Sequence, residues 1–370
     1  MAERAVARID LGALERNCSL LAARLSDGAE LCAVLKADGY GHGADTCAEA
    51  ALKGGASWLA VATAGEAEQV GRRLHHIRLL TMGALSASEI DVALGAGSEI
   101  NVWTEGFRAQ LATRARAQGR PALVHVKFDS GMGRLGNRDP AEVLALARAC
   151  DGDPALELAG VWTHFATADE PESDFFDTQL ERFDAVAGAV KAEFADVVVH
   201  AANSAAVFRD PRSHFDMARC GVAVYGLDPF QGDPRERGLE PVMQLQSYVA
   251  DVKRFEAGES VGYGRTWRAP RDTWVGVIPV GYGDGVRRGL SNNADVLVGG
   301  QRHPIVGTIS MDNLTVDLGP ETEVGPGAPA VLLGTQGEEA ILAEEVARHL
   351  GTINYEVACG VSPRVRREAR

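Results

Sequence analysis

As far as Gly221 the chain alternates short apolar runs with longer stretches whose apolar residues recur at helical spacing. The strand-like runs are "LCAVLK", "WLAVA", "IRLLTM", "INVW", "ALVHVKF", "LAGVWTHF", "VVVHAA" and "FDMARC". Between most of them lie helix-like segments such as "ADTCAEAALKGG", "GEAEQVGRRL" and "PAEVLALARAC", and the long "SDFFDTQLERFDAVAGAVKAEF" fills the gap before the seventh run. Eight strand–helix units in about 200 residues predict a closed (β/α)8 TIM-type barrel. A doubly wound open sheet has the same alternation, since counting repeats does not show closure.

The rhythm changes after "FQGDPRERGLEP", a loop-like stretch with two prolines and two glycines. From Met243 onward short strand-like runs separated by Gly and Pro turns dominate: "LQSYVADV", "WVGVIPVGY", "ADVLVGG", "HPIVGTISM", "LTVDL" and "AVLLG". One helical pattern interrupts them near "LAEEVARHLG". The organisation predicted is a barrel over 1–237 and a C-terminal mostly-β domain over 238–370. The first strand-like run, "RAVARID" at about 4–10, precedes the barrel repeats and is a candidate to pair with the second domain.

Composition narrows the partners. A length of 370 residues with 46% hydrophobic and 24% charged residues suits large globular cores. The formal net charge of -14 argues against nucleic acid or an anionic membrane as partner, but not against a local basic pocket for a small phosphorylated ligand. No stretch resembles a signal peptide or a membrane span. The six cysteines form no CxxC pair and read as small buried hydrophobes of a reducing compartment. A cytoplasmic protein without a metal site is expected.

In a barrel the chemistry sits at the C-terminal strand ends and in the loops that follow them. Those ends offer Lys36 before the Gly-rich "ADGYGHG", Arg134 after "VKFDSGMGR", His164 in "WTHFATAD", Asn203 and Ser204 in "HAANSAA", and Arg219 in "MARCGV". Singly, each has a plainer reading: a solvated lysine, a satisfied barrel histidine, ordinary turn residues. Together they put an amine and several cations beside phosphate-friendly groups, the last joined by the amides of Gly221 and Val222. An aldehyde-bearing phosphate suits both ends, and pyridoxal phosphate is the common one.

"AVLKADGYGHG", "DSGMGRLG", "THFATAD", "HAANSAA", "GVAVYGLDP", "VGYGRTW", "VGYGDGVRR", "SMDN" and "NYEV" together resemble the motifs of the alanine racemases, in the same order and at the same spacing. The resemblance spans nearly the whole chain. It implies a pyridoxal 5'-phosphate barrel followed by a β domain, acting as a homodimer on alanine to supply D-alanine for peptidoglycan. It makes Lys36 the Schiff-base lysine, and Tyr40, Asn203, Ser204, Gly221, Val222 and Tyr355 the phosphate site. Arg219 matches the arginine facing the pyridine nitrogen, His164 its neighbour, and Arg134 the arginine near the phenol oxygen. Tyr263 matches the second catalytic base, and Met311 and Asp312 match residues that help bind the substrate carboxylate; in the family this second set comes from the partner subunit. Lys127 matches a lysine that is carbamylated in some members and then orients the arginine.

These residue types make sense for racemisation. One group must remove the α-proton and another return it on the opposite face; Lys36 and Tyr263 supply the two, the phenol with help from nearby cations. Arginine against the ring nitrogen, where many pyridoxal enzymes place a carboxylate, leaves that nitrogen unprotonated and the ring a weaker electron sink. One departure stands out: Thr308, in "GTISMDN", occupies the position where many members carry arginine. The rival readings are a serine, lysine or broad-specificity racemase of the same fold, a basic amino-acid decarboxylase, and a pyridoxal phosphate carrier without turnover. Decarboxylases use a β-domain cysteine, here only Cys359, and carriers usually consist of the barrel alone.

Overall fold

The computed structural model describes residues 4–74 and 76–370. Among them, eight parallel strands close on themselves as the predicted barrel. With β1 taken as Val6–Ile9, the barrel strands are β2 (Glu30–Val34), β3 (Trp58–Val61), β4 (Arg78–Thr81), β5 (Glu99–Val102), β6 (Ala122–Lys127), β7 (Leu156–Trp162), β8 (Val198–His200) and β9 (Met217–Cys220). The sheet closes where β2 runs parallel to β9, with Cys32 opposite Arg219. Every residue of β3 and β5 is buried. That two-faced burial is why β3, "WLAV", reads as an unbroken apolar run, whereas β5, "EINV", buries the polar Glu99 and Asn101 as well. The helices between them carry their own start signals. Ala64–Arg73 begins with a capping box between Thr63 and Glu66, buries Ala64, Ala67 and Val70 on one side, and ends on Arg72 and Arg73.

The chain divides into two compact units. One comprises Leu14–Gly39 and Ala44–Val224, and holds the barrel. The other comprises the stretch up to Ala13, the short piece Tyr40–Gly43, and Tyr225–Arg370. Its division from the barrel falls at Tyr225, upstream of "FQGDPRERGLEP". In this second unit β1 lies between β10 (Met243–Tyr248), to which it is antiparallel, and the parallel strand Arg366–Ala369. The same sheet continues from β10 through Pro329–Gln336 and Asp295–Val298 to Gln301–Pro304. Its apolar face packs Leu297, Val331 and Ile341 with Val346 of the helix Ala343–Leu350.

Three details depart from the sequence pattern. "LQSYVADV" is two strands, β10 and Asp251–Phe255, the latter in a separate three-stranded sheet. In "HPIVGTISM" only the first two residues belong to a strand; the chain then turns through Gly307 at φ 76°. Cys359 is exposed, whereas the other five cysteines are buried. Among the described residues no helix is long and apolar enough to cross a membrane.

Candidate active site

Lys36 lies just beyond β2 and is half-buried. The segment after it is a left-handed turn, with φ/ψ of 53°/49° at Ala37, 52°/52° at Asp38 and 62°/45° at Gly39. Tyr40 continues it at φ 53°. Each L-residue so placed costs about 1–2 kcal/mol, a cost glycine escapes. Three hydrogen bonds hold the turn. Gly39 N donates to Leu35 O at 2.7 Å, Ala44 N to Asp38 Oδ1 at 2.8 Å, and Ala37 N to Glu66 Oε1 at 2.7 Å. Glu66 also accepts from Ala62 N and Thr63 N at 2.9 and 3.0 Å. One carboxylate thus serves both the helix cap and the strained turn behind Lys36.

Across the same barrel end, Arg219 is buried among neutral acceptors. Its Nη2 donates to Thr163 O at 2.8 Å and Ala201 O at 3.0 Å and lies 3.3 Å from His164 Nδ1; its Nη1 lies 2.9 Å from His200 Nδ1. Burial pulls the guanidinium pKa down to about 10. The ring of Trp162 lies under both Arg219 Cζ, at 4.6 Å, and Lys127 Nζ, at 3.6 Å. Lys127 is pushed down to about 7, first by burial and then by Arg219, Arg134 and Lys36. His164 is held well below the usual histidine range by burial and by Arg219, Lys127, Arg134 and Lys36. The structure therefore gathers Lys36, Lys127, Arg134, His164 and Arg219 into one cationic field, in which His164 is neutral.

The expected phosphate residues of the barrel also meet. Ser204 Oγ accepts from Gly221 N at 3.0 Å and from Ala223 N at 3.4 Å, and Val222 opens the turn that follows. Asn203 Oδ1 accepts from Ala206 N at 3.0 Å and caps the short helix Ser204–Arg209. In the second unit Tyr40 packs on Tyr225, with ring centroids 5.1 Å apart, and faces Tyr355 at 6.1 Å. A Cβ on Gly41 would stand 2.5 Å from Ala358 O, so only glycine lets this piece approach the helix Asn354–Cys359.

Tyr263 and Met311 of that unit are 73% and 52% exposed. Thr308 donates its hydroxyl to Tyr263 O at 2.9 Å and so pins the turn bearing the phenol. Asp312 pairs with Arg364 at 2.7 Å and Arg4 at 3.3 Å; those partners hold its carboxyl below the usual range. Sequence reasoning missed Glu66, His200, His125 and Glu99. Alternation in "VHVK" puts His125 on the face of Lys127, but nothing local ties Glu66 to Ala37.

Models of the alanine racemase N-terminal and C-terminal domains match residues 9–229 and 242–369. The alanine racemase of Symbiobacterium thermophilum is 41% identical over 362 residues, 98% of this chain and 96% of the relative. The chain belongs to the alanine racemase family. Among solved members, the alanine racemase of D-cycloserine-producing Streptomyces lavendulae superposes with a TM-score of 0.95 at 35% identity, covering 100% of this chain and 98% of that one. The alanine racemase of Bacillus anthracis, solved with bound L-Ala-P, gives 0.90 at 35% identity and covers 100% and 96%. As an alanine racemase the protein is an isomerase that interconverts the enantiomers of alanine, and its barrel and β unit are those of its family.

Proposed function

We propose that this alanine racemase uses pyridoxal 5'-phosphate held covalently by Lys36, with Lys36 and Tyr263 as its two bases. We further propose that it works in the cytoplasm as a homodimer with shared sites, making D-alanine for peptidoglycan. The observation that carries the cofactor is the surroundings of Arg219. Among the described residues no carboxylate pairs with this buried cation, its Nη groups meet only neutral acceptors, and its Nε–H has no acceptor. A neutral ring nitrogen suits that remaining donor.

Ser204, whose hydroxyl accepts from the Gly221 amide and keeps its own proton to donate, with the Val222 amide, Asn203 and the phenols of Tyr40 and Tyr355, is a donor set that suits a phosphate. Once bound, the cofactor draws electrons from the amino acid's Cα and makes its proton acidic. This chain's own residues do the rest. Lys36 exchanges the proton on one face of Cα and Tyr263 on the other. Arg134 draws the substrate carboxylate, and neutral His164 keeps a second positive charge away from Arg219. The carboxylate of Asp312 is taken by Arg364 and Arg4, so its share in substrate binding, with Met311, runs through the main chain.

The largely exposed phenol of Tyr263 supports a shared site, because a catalytic tyrosine needs shelter from bulk water and a partner subunit supplies it. Lys127, shifted toward a neutral amine, suits carbamylation. The amine nitrogen bonds to the carbon of CO2 and releases a proton to solvent, and the anionic carbamate then pairs with Arg134. Carbon-13 bicarbonate should give a carbamate resonance that Lys127→Ala lacks. The decisive test of the cofactor is borohydride reduction of the yellow holoenzyme. It should fix the label on the peptide "AVLKADGYGHG"; a label on another lysine would remove Lys36 from its role.

A further inference from the structure

Behind Arg219 a chain of hydrogen bonds runs down the barrel interior, away from the site. Arg219 Nη1 lies 2.9 Å from His200 Nδ1, His200 Nε2 lies 2.8 Å from His125 Nδ1, and His125 Nε2 lies 2.7 Å from Glu99 Oε2. Glu99 opens β5 at the opposite end of the barrel and takes Arg78 in a two-point contact at 2.7 and 2.9 Å. His125 and His200 are fully buried, and Glu99 and Arg219 are each 3% exposed.

The two ends determine every proton between them. A guanidinium can only donate, so His200 Nδ1 is bare. His200 then carries its proton on Nε2 and gives it to His125 Nδ1, which is also bare. His125 in turn carries its proton on Nε2 and donates to Glu99. Doubly protonating His125 would leave His200 with no proton at all, an imidazolate next to a carboxylate-anchored chain. Both imidazoles are therefore neutral Nε2–H tautomers aligned the same way.

The surroundings hold this arrangement. Trp162 stacks on His200 with a 6° interplanar angle, and Trp58 meets His125 edge-on at 85°. A Cβ at position 160 would lie 2.3 Å from His125 Nδ1, so Gly160 leaves the space the ring occupies. Burial opposes the charge of Glu99, yet the hydrogen bonds from His125 and Arg78 outweigh it and keep the carboxyl below its usual range. Burial, with Arg219 and His125 beside it, keeps His200 well below the histidine range.

We propose that Glu99 is a positioning residue for Arg219, acting through His125 and His200 as fixed Nε2–H tautomers, so that a carboxylate at the far end of the barrel sets the plane of the guanidinium. The functional part rests on the reading that Arg219 faces the cofactor ring. The cation has only neutral direct partners; its counter-charge sits three hydrogen bonds away and reaches it through two polarised rings.

The tautomers are measurable without cofactor. Full-length protein stripped of cofactor and labelled with nitrogen-15 histidine should show, in long-range proton–nitrogen spectra, protonated Nε2 and bare Nδ1 at both residues, assigned with His125→Gln and His200→Gln. A proton on Nδ1 of either histidine in the wild type overturns the proposal. In the holoenzyme, Glu99→Gln keeps an acceptor for His125 but loses the charge. It should lower kcat about tenfold, leave KM within about twofold, and shift the cofactor's absorbance band. In an Arg219→Lys background, which lacks the planar link to His200, the same change should lower kcat less than about twofold. A second full tenfold loss there would mean that Glu99 acts on stability alone, and the proposal falls. An Arg219→Lys enzyme with unchanged kcat and spectrum would instead remove the reading of Arg219, leaving the measured tautomers in place.

Discussion

Replacing Glu66 with alanine tests whether one carboxylate holds the strained segment behind Lys36. Three main-chain donors, Ala37, Ala62 and Thr63, would lose their acceptor at once. A helix cap contributes about 0.5–2 kcal/mol. Each hydrogen bond to a charged acceptor adds about 1.5–3 kcal/mol when buried, and clearly less at the half-buried Glu66. Together these give a gross loss of about 2–3 kcal/mol; strain released at Ala37 offsets about 1–2 kcal/mol of it, so Tm should fall by about 2 °C in differential scanning calorimetry. Stability is only half of the effect. Without its tether Ala37 can leave the left-handed region and recover about 1–2 kcal/mol of strain, which moves Lys36. The fraction of protein labelled at Lys36 by borohydride at limiting cofactor should therefore drop. Ala37→Gly in the same background removes the reason to leave and should restore most of the labelling, though not the lost cap. A Tm change below about 1 °C would refute the energetic argument. A full Tm loss with no recovery from Ala37→Gly would show that Glu66 merely caps its helix.

Three further outcomes follow from the site and its frame. Lys36→Ala and Tyr263→Phe chains, each inactive alone, should regain about a quarter of wild-type activity when co-refolded in equal amounts, since half the dimers are mixed and half of their sites are intact. Mixed dimers confirmed by mass but still inactive would place both residues in one chain. Lys127 has a depressed folded pKa of about 7, so the unfolded chain binds more protons above that value. In CO2-free buffer, where Lys127 stays an amine, the wild type should therefore gain stability relative to Lys127→Met in urea titrations as pH rises from about 7 toward the ordinary lysine range; parallel profiles would contradict the burial argument. Gly160→Ala would put a methyl group 2.3 Å from His125 Nδ1 and 2.7 Å from Val198 O, and should cost about 2–3 kcal/mol, read as a Tm fall of several degrees.

The barrel was legible because its strands are buried on both faces, so "WLAVA" stands out as an unbroken apolar run between amphipathic helices. The irregular part of the β unit was less so: "HPIVGTISM" has strand composition, but Gly307 turns it out of the ladder after Pro304. Among site residues, those carried by motifs could be named from sequence, because their neighbours in the chain are also their neighbours in space. Asn203 and Ser204, adjacent in "HAANSAA", are of this kind. Glu66 and Glu99 are not. Each acts on a residue from a neighbouring strand–helix unit, through contacts that the pairing of adjacent barrel strands creates. The left-handed turn hides for another reason. Ala37 has no intrinsic preference for that conformation, so the composition of "KADGYG" gives no sign that alanine adopts it alongside the glycine.

The place of β1 between β10 and Arg366–Ala369 has a consequence for how the chain is made. During synthesis the first strand leaves the ribosome hundreds of residues before the segment that will cover its second edge. Every barrel strand can be translated and paired in the meantime, because none needs anything beyond Cys220. The edge of β1 waits, with Ala7 and Ile9 destined for full burial, until Arg366–Ala369 emerges and Arg370 N reaches Ile9 O at 2.9 Å. Over that interval the nascent chain exposes an unpaired strand edge, the kind of surface on which chains aggregate and chaperones bind. A ribosome stalled just before residue 366 would leave that edge open, and the nascent chain should then be more readily cleaved near β1 than the released protein.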